Sequence, residues 1–370
     1  MGNIYDFIVI GAGISGCTFA SYLNKRFPQA SILIVETGRR LGGRATTRQS
    51  RGNKNLQFDH GLPSIEFSNN ISNDLLTFVS PLIKSRKLIN ITEEVLFINE
   101  FGKMSHLLSQ HNIYRSVPFM VNFCQELINQ ATDSKQINFI FRKFVKSIIK
   151  KNNLWHLKID EANLMRSKNL VLSSSLIAHS RCLEIMNIHS LPLREAFMKG
   201  KDTLVDSVIN KTSQIVFMKR TNYILHVSSI EFVKTFNYDY LQIYFSEYIR
   251  VEYKFERIIF QRQLDGSIII VLHCSYINKD CLFEVKQIIK NLLIIFSKHQ
   301  IFVDLFLNAK HIDTMNWRAS QPINNLLPAE FQWSQSSNIG FCGDWFDFDG
   351  CAGVEAAMNN SIRLAKFVSC

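Results

Sequence analysis

A strand, a glycine-rich turn and a helix in direct succession constrain this chain more than any other feature. Tyr5-Asp6-Phe7-Ile8-Val9-Ile10 reads as a short buried strand that runs straight into Gly11-Ala12-Gly13-Ile14-Ser15-Gly16. An apolar-periodic helix follows, then a second strand over 31–35 that ends at Glu36. The spacing fits a dinucleotide site. Gly11 permits the tight turn, Gly13 removes the side chain that would hold a pyrophosphate off the backbone, and Gly16 lets the helix lie close to the sheet. The N–H groups at Ile14 and Ser15, with the positive end of the helix dipole, then face the phosphates. Glu36 can accept hydrogen bonds from ribose hydroxyls. A Gly-rich turn in some other α/β protein would leave that acid without a role.

Two further segments select among dinucleotides. Thr37-Gly38-Arg39-Arg40-Leu41-Gly42-Gly43-Arg44 is a second Gly- and Arg-rich loop. A nicotinamide dehydrogenase has no general need of it, whereas a tightly held flavin dinucleotide is wrapped from two sides. Gly42 and Gly43 allow close backbone approach, and Arg44 can fork onto a phosphate oxygen. Near the other end, Ile339-Gly340-Phe341-Cys342-Gly343-Asp344-Trp345 precedes a loop and then Gly353-Val354-Glu355-Ala356-Ala357, the start of a last helix.

The strand, Gly343-Asp344 and the Val354-Glu355 helix start resemble the C-terminal flavin segment of the flavin amine oxidase superfamily. With the glycines and Glu36 of the first motif, Gly42-Gly43-Arg44, Phe58-Asp59-His60-Gly61 and Asn316-Trp317-Arg318, the chain resembles the renalase-type branch, FAD-dependent NAD(P)-binding oxidoreductases. The resemblance implies an α/β fold in which a Rossmann-like FAD-binding domain is interleaved with an α+β substrate domain, and noncovalent FAD. It implies that Asp344 binds the ribityl chain and that the helix start at Gly353, Val354 and Glu355 faces the flavin pyrimidine oxygen. Thr37 and Arg39 fall in the second cofactor loop, and Asp59, His60 and Gly61 in a loop near the flavin. The backbone at Val145 would meet the adenine end. Departures lie at Leu62-Pro63-Ser64-Ile65, Ala319-Ser320 and Asn360-Ser361, where the branch carries other residues; they bear on substrate more than on cofactor.

At 370 residues the chain is long enough for two interleaved domains. The expected division is cofactor domain over 1–66, a mostly helical substrate segment over 67–135, cofactor domain again over 136–189, a substrate domain with an antiparallel sheet over 190–310, and a C-terminal cofactor part over 311–370. Strands are expected at 137–141, 145–149, 155–159, 169–172, 253–263, 267–274 and 301–307. Asp265-Gly266 marks a hairpin, and a helix is expected from Asp280 to Phe296, with Leu282, Val285, Ile289, Leu292 and Phe296 on one stripe.

The formal charge of +11 is scattered apart from Arg39, Arg40, Arg44, Arg48, Arg51 and Lys54, a solvated loop or an electropositive funnel for an anionic substrate. No nucleic-acid module and no metal-ligand cluster is legible. The eight cysteines form no CxxC pair, so reduced thiols in a cytoplasm are expected. The first strand begins almost at Met1, which argues against a signal peptide, and no apolar run reaches the ~20 residues that span a bilayer. The expected partner is a small molecule; the oligomeric state is open.

Flavin chemistry asks the protein for placement more than for a triad. His60 is the titratable candidate for acid–base work, against a plain hydrogen-bonded loop histidine. Trp317 is a candidate wall of the substrate cavity, against a core tryptophan. The reading that follows is an enzyme: an oxidoreductase that passes a hydride from a small reduced donor to FAD, with oxygen or another acceptor reoxidising it. The resemblance to the renalase-type branch implies a dihydronicotinamide or aberrant NAD(P)H as the donor. The alternatives are an amine oxidase, a polyene or tetrapyrrole oxidase or desaturase, and a flavin-binding protein without turnover.

Overall fold

The computed structural model describes residues 4–159, 164–197, 199–228, 235–275 and 285–369. The first of its two large sheets has a parallel centre in the order Ile137–Ile140, Ile32–Val35, Ile4–Ile10, Leu164–Leu172. Ile339–Phe341 joins it in parallel, and Leu154–Lys158 with Ser147–Lys151 extends it antiparallel. Ile32–Val35 and the ends of the next two strands in that order, residues 7–10 and 170–172, are apolar runs, as strand segments covered on both faces must be. Phe7, Val9, Ile32 and Ile34 pack beneath the helices Ile14–Arg26 and Gly353–Phe367, which meet through Cys17, Ala20, Met358 and Ile362. Ile8, Leu33 and Val35 face the opposite layer, with Trp155, Leu157 and Val208.

The second sheet has seven strands in the order Lys310–Pro322, Phe217–Val227, Ile268–Ser275, Phe255–Arg262, Tyr240–Phe245, Val95–Ile98, Met104–His106. Side chains alternate across it. Leu225, Ile243, Ile258, Phe260, Ile270 and Leu272 face the helices Val285–Ile295 and Gln300–Leu307 and form one apolar core. The other face mixes Ile224, Ile259, Ile269 and Val271 with Asn222, Gln261 and His273, all buried. Gln261 brackets the backbone of Asp59, accepting from its N–H and donating to its carbonyl, both at 2.9 Å. The segment before Gly61 is thus tied onto this mixed face.

The α/β class and the Rossmann-like unit match the sequence expectation. Several finer expectations do not. Residues 67–135 are not mostly helical: Asn73–Lys84 and Val121–Asn129 are helices, but Leu88–Asn90, Val95–Ile98, Met104–His106 and His111–Ser116 are strands. These strands are short, and Val95–Ile98 is stabilised by pairing with Tyr240–Phe245, far away in sequence. The apolar run at 301–307 is a helix, because Phe302, Leu305 and Phe306 fall on one face and bury against the sheet. Val145 precedes the strand Ser147–Lys151. The boundary at 310 is displaced: Lys310–Pro322 is an edge strand of the second sheet, paired with Phe217–Val227. The helix Thr203–Thr212 packs on the first sheet, not the second. The expected hairpin is present, with Gly266 at φ +83°. Of the helix expected from Asp280, Val285–Ile295 is observed; 280–284, including Leu282, lie outside the described residues.

Candidate functional site

The two glycine loops interlock. Gly42 donates its N–H to the Ala12 carbonyl at 2.9 Å, and Gly13 pairs with Gly42 in a parallel bridge. Gly43 has φ +54°, and a Cβ there would sit 3.1 Å from the Gly13 Cα. A Cβ on Gly16 would lie 2.0 Å from the Gly11 carbonyl oxygen, so the helix contacts the turn backbone to backbone. Neither the Ile14–Arg26 nor the Gly353–Phe367 helix has a side-chain N-cap, which leaves first-turn N–H groups for a ligand. The Glu36 carboxylate is held at its strand end: Oε2 accepts from Ala12 N–H at 2.7 Å and Oε1 from Gly38 N–H at 2.6 Å.

These parts open onto a cavity of about 370 Å³ between the two sheets. On the first-sheet side, Gly11, Gly13, Ile14, Ser15, Glu36, Thr37, Gly42, Gly43, Arg44, Gly61, Val145, Asp344, Gly353 and Val354 all line it. Trp317 lines it from the edge strand of the second sheet. Gly61 makes room: a Cβ there would be 2.3 Å from the Arg44 carbonyl oxygen and 2.9 Å from Trp317 Cζ2.

Arg44 departs from expectation. Its guanidinium forks onto Asp344, at 2.6 and 2.8 Å, and also donates to the Ser320 carbonyl at 2.7 Å. The two residues expected on separate parts of a cofactor form one ion pair inside the cavity. Arg48, from the same basic cluster, is paired with Asp313 at 2.9 Å.

Other candidates lie off the cavity lining. Arg39 is exposed on the outer loop. Gly16 and Gly343 are packing positions behind it. Glu355 is buried and ties the last helix to Ser68, accepting from its N–H at 2.7 Å and its hydroxyl at 2.8 Å. Asp59 is fully buried, accepting from Thr47 Oγ1 at 2.5 Å and Met120 N–H at 3.1 Å, and burial pushes its pKa up to about 6. His60 stacks on Trp317 with ring centroids 5.3 Å apart. Burial, reinforced by nearby Arg48, depresses its pKa to about 4. The expected catalytic-range histidine is therefore a neutral ring behind the wall that Trp317 presents.

Apart from Trp317, sequence reasoning missed the second-sheet side of the lining and one residue beside it, Arg181. Arg220 and Asn222 come from one strand, Arg257 and His273 from two others, and Arg181 from the helix Arg181–Met186. Arg257 faces His273 and His273 faces Asn222 across neighbouring strands, so the three form a row on one face. The available signal was a polar residue interrupting an otherwise apolar strand, as His273 does after Ile268-Ile269-Ile270-Val271-Leu272.

Residues 9–82 match the family described as NAD(P)-binding Rossmann-like domain. An uncharacterized protein of Methanocaldococcus jannaschii is 24% identical over 246 residues, 60% of this chain; the match spans 64% of that curated relative. Similar solved structures include wild-type putrescine oxidase bound to putrescine (11% identity, 98% of each chain, TM-score 0.64). Others are a CLA-producing fatty acid isomerase from P. acnes (10% identity, 100% of each chain, TM-score 0.60) and an oxidoreductase from Methanosarcina mazei (11% identity, 97% of this chain and 99% of that one, TM-score 0.60). The likeness extends over essentially the whole chain and shows a two-sheet fold similar to that of putrescine oxidase. Among the described residues no helix is long and apolar enough to cross a membrane.

Proposed function

We propose that this chain is an FAD-dependent oxidoreductase that takes a hydride from a small reduced donor. The observation that carries the reading is the opening of two uncapped helix N-termini and two interlocked glycine turns onto one cavity, which continues to the polar face of a second sheet. The lining fits a dinucleotide with a polar ring system: backbone N–H groups, a fixed carboxylate at Glu36, and the buried, partnerless Arg181 Nη1 and Trp317 Nε1.

FAD bound here would supply the hydride acceptor. Glu36 would accept from the adenosine ribose, and the Ile14 and Ser15 amides would meet the pyrophosphate. Asp344, oriented by Arg44, would accept from the ribityl hydroxyls, and the Val354 helix start would face the flavin pyrimidine oxygen. Trp317, backed by His60, would wall the donor and keep water out. The donor we favour is a dihydronicotinamide or aberrant NAD(P)H, supported by the renalase-type resemblance. Oxygen or another acceptor would complete the cycle. Amine oxidation is the second reading, favoured by the likeness to putrescine oxidase.

The purified protein should be yellow and release FAD, not FMN, on denaturation. Anaerobic mixing with a dihydronicotinamide donor should bleach the flavin band. A colourless protein that cannot be reconstituted would refute the cofactor. A yellow protein that no dinucleotide, amine or polyene bleaches would leave flavin binding without turnover.

A further inference from the structure

The second-sheet side of the cavity carries guanidinium charge that nearby acids offset only in part. Four arginines line the cavity: Arg44, Arg181, Arg220 and Arg257. Arg44 is paired with Asp344, and Arg220 donates from Nε to Glu256 at 2.5 Å. Among the described residues no carboxylate forms a salt bridge with Arg257, although the charge of Glu66 favours its guanidinium. Its Nε donates to His273 Nδ1 at 3.1 Å and its Nη1 to the Tyr244 hydroxyl at 2.9 Å. Both partners are neutral: burial and Arg257 hold the His273 pKa well below the usual range, and burial raises that of Tyr244. The nearest acid in this chain of bonds, Glu66, is reached only through the Tyr244 hydroxyl, at 2.8 Å. Arg181 likewise has neutral partners, Ser175 Oγ at 2.9 Å and the Phe217 ring, but its charged neighbours are Arg44 and Asp344, on the cofactor side.

Burial opposes the Arg257 charge, Tyr244 and Glu66 support it from one flank, and an anion arriving from the cavity would support it from the other. The charge of Arg257 disfavours that of Arg220, so the two guanidinia lie near each other, and Nη2 of each has no protein partner among the described residues. Two N–H forks on one sheet face suit a planar or tetrahedral oxyanion. A cationic amine placed there would meet like charge.

We propose that the donor is recognised through an oxyanion, a carboxylate or phosphate group, seated on Arg257 with Arg220 beside it. This deepens the cofactor reading and rests on it only for the chemistry that follows binding.

The test titrates the FAD-loaded protein by calorimetry with benzoate, phenylphosphonate, benzyl alcohol and benzylamine, and measures FAD content on every sample. At least one anion should bind about tenfold or more tighter than the alcohol, with benzylamine weakest; whichever anion wins distinguishes carboxylate from phosphate. Arg257→Met should weaken the anion by about tenfold to a hundredfold at unchanged FAD content, and Arg257→Lys should recover part of it. If Arg257→Met does not retain FAD, the ranking on the unmutated protein and the loss in Arg220→Gln decide. Benzylamine binding as tightly as the anions, anion binding indifferent to both arginines, or no binding of any probe would overturn the proposal. A protein that takes up no FAD would sink the cofactor reading alone, because calorimetry on that protein still reports the anion site.

Discussion

The two sides of the cavity are built on opposite principles. The first-sheet side presents backbone: glycine turns, two uncapped helix starts, and a carboxylate fixed by N–H groups. The second-sheet side presents long polar side chains, Arg220, Asn222, Arg257 and His273, raised from a pleated face. Backbone recognition needs side chains to be missing, so it is sensitive to any atom added. Side-chain recognition needs neighbours from several strands, so it is sensitive to any group removed.

The largest expected effect tests the backbone side. Gly16→Ala should destabilise the protein by about 3 kcal/mol or more, because the added Cβ would sit 2.0 Å from a backbone oxygen. Intrinsic propensity has the opposite sign: alanine in a helix interior is favoured over glycine by about 1 kcal/mol. Thermal denaturation therefore decides by sign, and a raised Tm would break the contrast between the two sides.

A middle-sized effect is expected at Glu36. Glu36→Ala should cost about 1–3 kcal/mol of FAD affinity, the penalty for charged hydrogen bonds left unmade. Glu36→Arg should be worse, since it puts a cation where hydroxyls need an acceptor. Fluorescence titration of apoprotein checks both. Affinity unchanged in both variants would remove Glu36 from the cofactor site.

The smallest effect sharpens the boundary between the two sides, where His60 supports Trp317. Its folded-state pKa, about 4, lies below the ordinary 6.5. Between those values the unfolded chain binds the extra proton, so stability contributed by the neutral ring is present above pH 6.5 and lost as the pH falls toward 4. His60→Phe keeps a stacking ring and removes the titration. The wild type should lose about 1 kcal/mol more than this variant between pH 7 and 5.5. Parallel stability curves would place His60 in contact with water.

The backbone side was largely legible. Gly11, Gly13, Gly42, Gly43 and Glu36 occur within a short stretch, and all line the cavity where the motif placed them. The hairpin at Gly266 was legible for the same reason, since a turn is a local event. Arg44 and Asp344 were both singled out, yet their union could not be read, because they stand 300 residues apart. The strand Lys310–Pro322 was assigned to the wrong side because an edge strand's sheet is set by its partner, here Phe217–Val227.

By itself, the sequence determined what depends on neighbouring residues: a strand–turn–helix with room for a pyrophosphate, a second glycine loop, and a late helix start. Steric freedom and helix-end chemistry are properties of a few consecutive residues. Only the tertiary structure decided which charges meet and which remain unmet. It joined Arg44 to Asp344, withdrew His60 behind Trp317, and left Arg257 facing the cavity with neutral partners. Strand register and burial set those outcomes, and both arise from pairings between residues that the chain brings together only once it has folded.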